Sequence, residues 1–354
     1  MKRVFLLGTL LFALGGCLSY HRGAMPGEPK AARFASVEGA RVRFVDTQAE
    51  EGPSDRPTVV MIHGFASSLE TWVAVTPAIA RTHRVIALDL KGFGWTDRPE
   101  GDYSPEAQAR MVWKLLDARG AGKVAIVAHS WGSSVALAAA LAAPDRVTRI
   151  ALYDAWVYEE QLPTFFHWSR TDPVGEALFG LFYKERADEK IALGFYDKKF
   201  VTEKLVEEVE AAQDRPGTSA AALAAVRGMR YADVERKYRT IDKPVLLLWG
   251  REDTATPIRY GERLLRDLPH AKMTVYPRCG HFPMIEALAA SNRDLVAFLA
   301  DDVREAPKVE PPPAPPPPPP PAPTTSNDVV EEPIPALAAE PVKAPVSAKK
   351  AKRR

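Results

Sequence analysis

Only two cysteines occur in 354 residues, Cys17 and Cys279, so the chain has no disulfide framework to rely on. It also lacks a charge excess. Forty-seven Lys and Arg face 45 Asp and Glu, and a formal charge of +2 gives no general case for nucleic-acid binding. The N-terminal apolar run from Val4 to Leu14 is about half the length a membrane-spanning helix needs. No internal repeat is present. What remains is a 46% hydrophobic composition, typical of a soluble globular protein.

The two ends differ from the middle. Lys2 and Arg3 precede the apolar run, and small residues follow it up to Cys17, the pattern of a secretory signal. Leu14-Gly15-Gly16-Cys17 resembles the lipobox of bacterial lipoproteins. That resemblance implies a signal peptide over 1–16, lipidation of Cys17, and a membrane anchor stable because it carries several acyl chains. It leaves 17–30 as a tether. Leu18 stands where an Asp would mark inner-membrane retention, so the expected location is the cell envelope, on the outer-membrane or periplasmic side. A lipidated Cys17 leaves Cys279 without a disulfide partner.

Residues 307–354 hold 16 of the 32 prolines, so this end cannot build a core. The run Pro311 to Pro323 reads as a polyproline II spacer of roughly 40 Å. The segment 304–354 is expected to be a disordered tail whose basic end, Lys349 to Arg354, is a solvated terminus or a weak contact for an anionic envelope polymer.

Between these ends, strand-like and helix-like patterns alternate. A hairpin turning at Glu38-Gly39 is followed by apolar runs at 58–63, 84–90, 123–129, 149–154, 244–250 and 272–277. Helical stretches separate them at Pro105 to Ala118, Ser133 to Ala143 and Ile258 to Leu268. Continuous apolar strands alternating with helices imply a mostly parallel sheet covered on both faces, an α/β fold. The core is expected over 31–154 and 241–303. The intervening 155–240 reads as a helical cap insertion rich in aromatic residues, either lining an apolar site or forming the cap's own small core.

Ser130 falls in Ala128-His129-Ser130-Trp131-Gly132, where an apolar strand gives way to a helix. Small residues two before and two after a serine are what a nucleophile elbow requires, and Ala128 departs from the strict glycine by one methyl. Alternatively, Ser130 merely caps the helix. A serine nucleophile needs a base and an orienting acid. His281, in RCGHFPMIE beyond the last strand, is the expected base, and Asp253, in GREDTATP after the fifth parallel strand, the expected acid. Asp154, which also ends a strand, is its competitor. His129 and His63 are read as structural, and His83, His167 and His270 as surface or structural. The N–H groups of Phe65, in HGFAS, and of Trp131 are the expected oxyanion donors, each worth about 3 kcal/mol.

With HGFASS at 63–68, DLKGFGWTDRP at 89–99, AHSWGSS at 128–134, GREDTATP at 250–257 and CGHFPMIE at 279–286, the chain resembles the α/β-hydrolase superfamily over nearly all of 31–303. Asp89, Gly92 and Gly94 match a structural loop of that family. The order Ser130, Asp253, His281 is the one that fold uses. The resemblance implies acyl transfer to water on a small-molecule ester or amide, with no cofactor and no metal. A serine at the elbow argues against the haloalkane dehalogenases and epoxide hydrolases, which place an aspartate there. Carboxylic ester hydrolysis of an apolar substrate is the leading expectation. Alternatives are a proline-iminopeptidase-like activity, weakened because HGFAS replaces the usual HGGPG, a carbon–carbon bond hydrolase, and a lipid-anchored scaffold on a retired hydrolase fold.

Overall fold

The computed structural model describes residues 18–48 and 55–300; Cys17, the signal segment 1–16 and the Pro-rich tail 304–354 lie outside the described residues. The expected hairpin is β1 (Arg33–Val37) and β2 (Ala40–Asp46). Glu38 and Gly39 both have positive φ, +49° and +76°, the tight turn that suits a twisted two-strand ribbon. The apolar runs become β3 (Thr58–Ile62), β4 (Arg84–Leu88), β5 (Val124–His129), β6 (Val147–Tyr153), β7 (Val245–Gly250) and β8 (Ala271–Tyr276). They form one sheet in the order β1-β2-β4-β3-β5-β6-β7-β8. The pairs β1/β2 and β2/β4 are antiparallel, and every pair from β4 onward is parallel.

That order places a switch point at β3. The chain leaves β3 for β4 on one side, then returns to lay β5 on the other, so a crevice opens above the carboxyl ends of β3 and β5. Two apolar clusters cover the two sheet faces, one built on Val60, Ile62 and Leu152 and the other on Val59, Met61 and Leu248. Strands β5 and β7 are buried along their whole lengths, which is why they read as continuous apolar runs.

The core helices are α1 (Pro105–Ala118), α2 (Gly132–Ala142), α8 (Arg259–Asp267) and α9 (Leu288–Ala300), and the insertion holds α3 (Thr164–Ser169), α4 (Val174–Phe182), α5 (Ala187–Gly194), α6 (Glu203–Asp214) and α7 (Thr218–Gly228). Helix α1 starts where Pro105 needs no N–H partner and the Ser104 hydroxyl accepts from Ala107 N–H at 3.2 Å. Helix α2 is buried nearly all round, so its alanines allow close approach to the sheet and to α1. Among the described residues, no helix is long and apolar enough to cross a membrane.

Residues 18–30, expected as a tether, lie against the domain instead. His21 and Arg98 exchange backbone hydrogen bonds at 2.9 and 2.8 Å, and Arg22 donates to the Gly39 carbonyl at 3.1 Å. Met25 is buried beside the Arg98 guanidinium. Polar composition alone does not make a segment loose when backbone partners await it.

Candidate active site

Ser130 follows the last residue of β5 with φ at +52°, a left-handed conformation that costs a residue with a side chain about 1–3 kcal/mol. Surrounding backbone holds it there. Its N–H donates to the Tyr153 carbonyl at 2.9 Å, and its carbonyl accepts from Ser133 at 2.9 Å and Trp156 at 3.1 Å. The sharp turn brings α2 against the end of β3, where a Cβ on Gly132 would sit 2.7 Å from the Ile62 carbonyl. This explains the small residue two places after the serine.

His281 lies in the loop beyond β8, and Asp253 in the loop after β7. His281 Nδ1 stands 2.8 Å from Asp253 Oδ2. Asp253 Oδ1 accepts from the N–H groups of Ala255 at 2.8 Å and Thr256 at 3.0 Å, while Oδ2 also accepts from the Thr256 hydroxyl. Burial by itself raises a carboxyl pKa; here the His281 ring and the Thr256 hydrogen bonds outweigh it and hold Asp253 well below the usual carboxylate range. An ionised Asp253 can only accept, so Nδ1 of His281 carries the proton and Nε2 presents a lone pair. Among the described residues neither the Ser130 hydroxyl nor His281 Nε2 has a hydrogen-bond partner. A nucleophile and its base commonly close only around substrate.

Asp154, the competing acid, ends β6 with φ at +45° and is fully buried. Its Oδ1 accepts from Gly250 N–H at 2.9 Å; its Oδ2 has no partner among the described residues. Atoms of Asp154, Asp253 and His281 all lie within 4.8 Å of one another. Burial, then the negative charge of Asp253, pushes the Asp154 carboxyl well above its ordinary range. The structure therefore pairs one ionised acid, in contact with His281, with one neutral acid behind it. The separate tasks of the two carboxyls were not readable from their positions after strands.

His129 was expected to pack structurally, away from Ser130. Its Nε2 lies 2.8 Å from the His281 carbonyl and its ring 4.7 Å from the His281 ring, so it pins the main chain of the neighbouring loop. Burial, then His281, lowers its pKa well below 6.5, which keeps it neutral with Nε2 as the donor. His63 donates from Nδ1 to the Gly64 carbonyl at 2.7 Å, and its Nε2 accepts from Leu90 N–H at 2.9 Å, tying the loop after β3 to the end of β4.

Phe65 and Trp131 flank the elbow. A Cβ on Gly64 would sit 3.0 Å from the Ser130 Cβ, so the HGFAS loop packs directly on the turn. Among the described residues, neither the Phe65 nor the Trp131 backbone N–H donates to another group. Above them stands a wall of rings. Phe65 lies 5.4 Å from Phe93, 6.1 Å from Trp131, 5.4 Å from Phe166 and 6.5 Å from Tyr183 between centroids, and Phe166 stacks on Trp156 at 5.9 Å. Phe179, Tyr183 and Phe195 are buried, so the insertion's aromatics both form a small core and roof the crevice.

Some supports went unread in the sequence. Thr256 is one that a sequence signal could have found, because an Asp followed three residues later by a hydroxyl in a turn is a common local hydrogen-bonding unit. The Gly194 carbonyl at the end of α5, which accepts from His281 N–H at 2.7 Å, had no sequence signal. Nor had Glu286, which accepts from Gly280 N–H at 2.6 Å and Asp197 N–H at 2.9 Å.

Comparison with known proteins places the chain among hydrolases. The 2-hydroxy-6-oxo-2,4-heptadienoate hydrolase of Pseudomonas putida is 30% identical over 268 residues, covering 73% of this chain and 92% of that enzyme. The 2-hydroxy-6-oxononadienedioate/2-hydroxy-6-oxononatrienedioate hydrolase of Cupriavidus pinatubonensis is 28% identical over 77% of this chain and 97% of its own. Among solved structures, the meta-cleavage product hydrolase from Pseudomonas fluorescens IP01 superposes with a TM-score of 0.65 at 26% identity, covering 75% of this chain and 97% of that one. The family model described as alpha/beta hydrolase fold matches residues 57–194 and 208–288, and the chain belongs to that family of hydrolases.

Proposed function

We propose that this hydrolase cleaves a carbon–carbon bond beside a ketone, with Ser130 as nucleophile, His281 as base and acid, Asp253 as orienting acid, and the Phe65 and Trp131 N–H groups as oxyanion donors. The observation that carries the reading is the likeness, over 92% of its length, to an enzyme named for hydrolysing a 2-hydroxy-6-oxo-dienoate. The main expectation from sequence was ester hydrolysis, and the relatives favour its alternative. They speak equally against a scaffold role.

In the proposed chemistry, Ser130 Oγ attacks the ketone as His281 Nε2 takes its proton. The carbonyl oxygen becomes an oxyanion facing the two free N–H groups. The departing carbon must be a CH2, so the step runs on the 2,6-dioxo tautomer of such a dienoate, in which the 2-hydroxyl proton has moved to C5. The C5–C6 bond then breaks, the electron pair is delocalised as a dienolate over C5 to the C2 oxygen, and His281 returns its proton to C5. Water, deprotonated by His281, then releases the acyl group as a carboxylate. Net, R–CO–CH2–R′ and water give R–COOH and CH3–R′.

The aromatic roof supports a second reading, hydrolysis of an apolar ester, which differs only in the leaving atom. Comparing 2-hydroxy-6-oxohepta-2,4-dienoate with aryl esters separates the two. The expected result is a higher kcat/KM for the dienoate, lost in Ser130→Ala. A higher value for the esters replaces the reading.

The proposal extends to location: an acylated Cys17 holds the enzyme in the cell envelope on the outer-membrane side. Cys17→Ser is expected to release it from the membrane fraction, and unchanged partitioning removes the anchor.

A further inference from the structure

Helix α4, VGEALFGLF, is apolar on both faces. Gly175, Ala177 and Phe179 are buried against the cap, where Phe179 stacks on Tyr183 at 5.0 Å. A second stripe, Val174, Leu181 and Phe182 at i, i+7 and i+8, faces outward, with Leu178 half-buried between them; Val174 and Leu181 are each 42% exposed and Phe182 49%. Its one charge, Glu176, is neutralised by Arg227 through two contacts at 2.9 and 3.0 Å. Trp168 on α3, a helix that packs against α4, is 62% exposed. A helix apolar all round belongs in a core or at a lipid boundary, and contiguous exposed apolar residues mark an interaction surface.

The chain's own start says which surface. Leu18 packs on the core cluster, and Tyr20 stacks with Tyr103 at 6.4 Å. The Tyr20 hydroxyl, raised by burial and by Glu100, also feels the charges of Arg227 on α7 and Glu176 on α4, the ion pair that ties the two helices together. His21 runs beside Gly217, where a Cβ would meet its backbone nitrogen at 2.9 Å. Cys17 is three residues from Tyr20, so an acyl group on it starts within about 10 Å of this corner.

We propose that the outward face of α4 docks on the lipid surface to which Cys17 is attached. The inference rests on the proposed anchor.

The test uses the acylated full chain in vesicles of phosphatidylethanolamine and phosphatidylglycerol, with an environment-sensitive dye on Phe182→Cys or, as control, on Arg266→Cys of α8. The expected result is a blue-shifted emission at position 182, quenched about twofold by brominated lipid, as for side chains set 5–10 Å into the headgroup boundary. The control stays water-like. Emission at 182 that stays water-like on chains that float with vesicles overturns the docking face. So does a blue shift without vesicles in a dimer that Leu181→Glu dissociates, because a second copy then covers the face. Flotation reports the anchor separately: if the chain does not float, the label is read in a Cys17→Ser background at saturating vesicles, where a water-like signal again overturns the face.

Discussion

Asp154 and Asp253 follow the neighbouring parallel strands β6 and β7 and share one buried site with His281, yet only Asp253 touches the histidine, at 2.8 Å. Two carboxyls this close in a buried site do not both ionise, so one keeps its proton.

Substitution separates their tasks. Asp253→Asn is expected to lower kcat by about 10⁴, because an amide no longer fixes the Nδ1–H tautomer of His281. Asp154→Asn retains the acceptor for Gly250 N–H and is expected to stay within a few-fold of wild type. Steady-state kinetics on the two variants decide it; a larger loss in Asp154→Asn means the acids are reversed.

Asp154 also leaves a mark on stability. Its folded pKa is raised, so the stability it contributes is full below the unfolded value of about 3.9 and is lost as pH rises. Asp154→Asn is therefore expected to gain stability over wild type as pH goes from about 4 to 8, read from denaturant midpoints. A difference independent of pH contradicts the neutral assignment.

The buried histidines act with the opposite sign. Burial lowers the pKa of His63 and His129, so their contribution is present above the unfolded value of about 6.5 and is lost as pH falls. In the Asp154→Asn background, stability is expected to fall below pH 6.5 by up to about 1.4 kcal/mol per histidine per pH unit. Exchanging His129 for Gln should remove one such increment; an unchanged slope would falsify its neutral state.

Backbone strain at Ser130 gives a test that needs no substrate. At φ +52° a glycine sits without cost while alanine keeps the penalty. Ser130→Gly is expected to be about 1 kcal/mol more stable than Ser130→Ala, both inactive. Equal melting temperatures would show that the elbow relaxes.

Packing of the HGFAS loop on the elbow makes Gly64 sensitive. In Gly64→Ala the new methyl meets the Ser130 Cβ at 3.0 Å and His129 Nδ1 at 3.2 Å. Displacing the Phe65 N–H is expected to lower kcat by about 10²-fold with KM nearly unchanged, since an oxyanion donor acts mainly in the transition state.

Much of this was legible in the chain. Strands β3 to β8 announced themselves because both faces of the sheet are covered, leaving unbroken apolar runs such as VLLLWG at 245–250. Ser130, Asp253 and His281 each follow a strand, where the sheet's polarity gathers them. Contacts set by the third dimension were not legible. Nothing in Ala128-His129-Ser130 says that the histidine reaches the carbonyl of residue 281, and nothing after RIALY says that Asp154 stays protonated. The outward stripe of α4 was not legible either, since an apolar pattern does not say what covers it. Residues 18–30 read as a tether because their partners, Arg98 and Gly39, lie far along the chain.

The last turn of α5 touches both arms of the site. The Gly194 carbonyl receives His281 N–H at 2.7 Å, and the Leu193 carbonyl receives the Thr254 hydroxyl, one residue past Asp253, at 2.9 Å. The insertion is thus not a replaceable lid. Exchanging it for a relative's version would also cut the two hydrogen bonds that hold the Asp253 and His281 loops, unless the graft kept those two carbonyls in place.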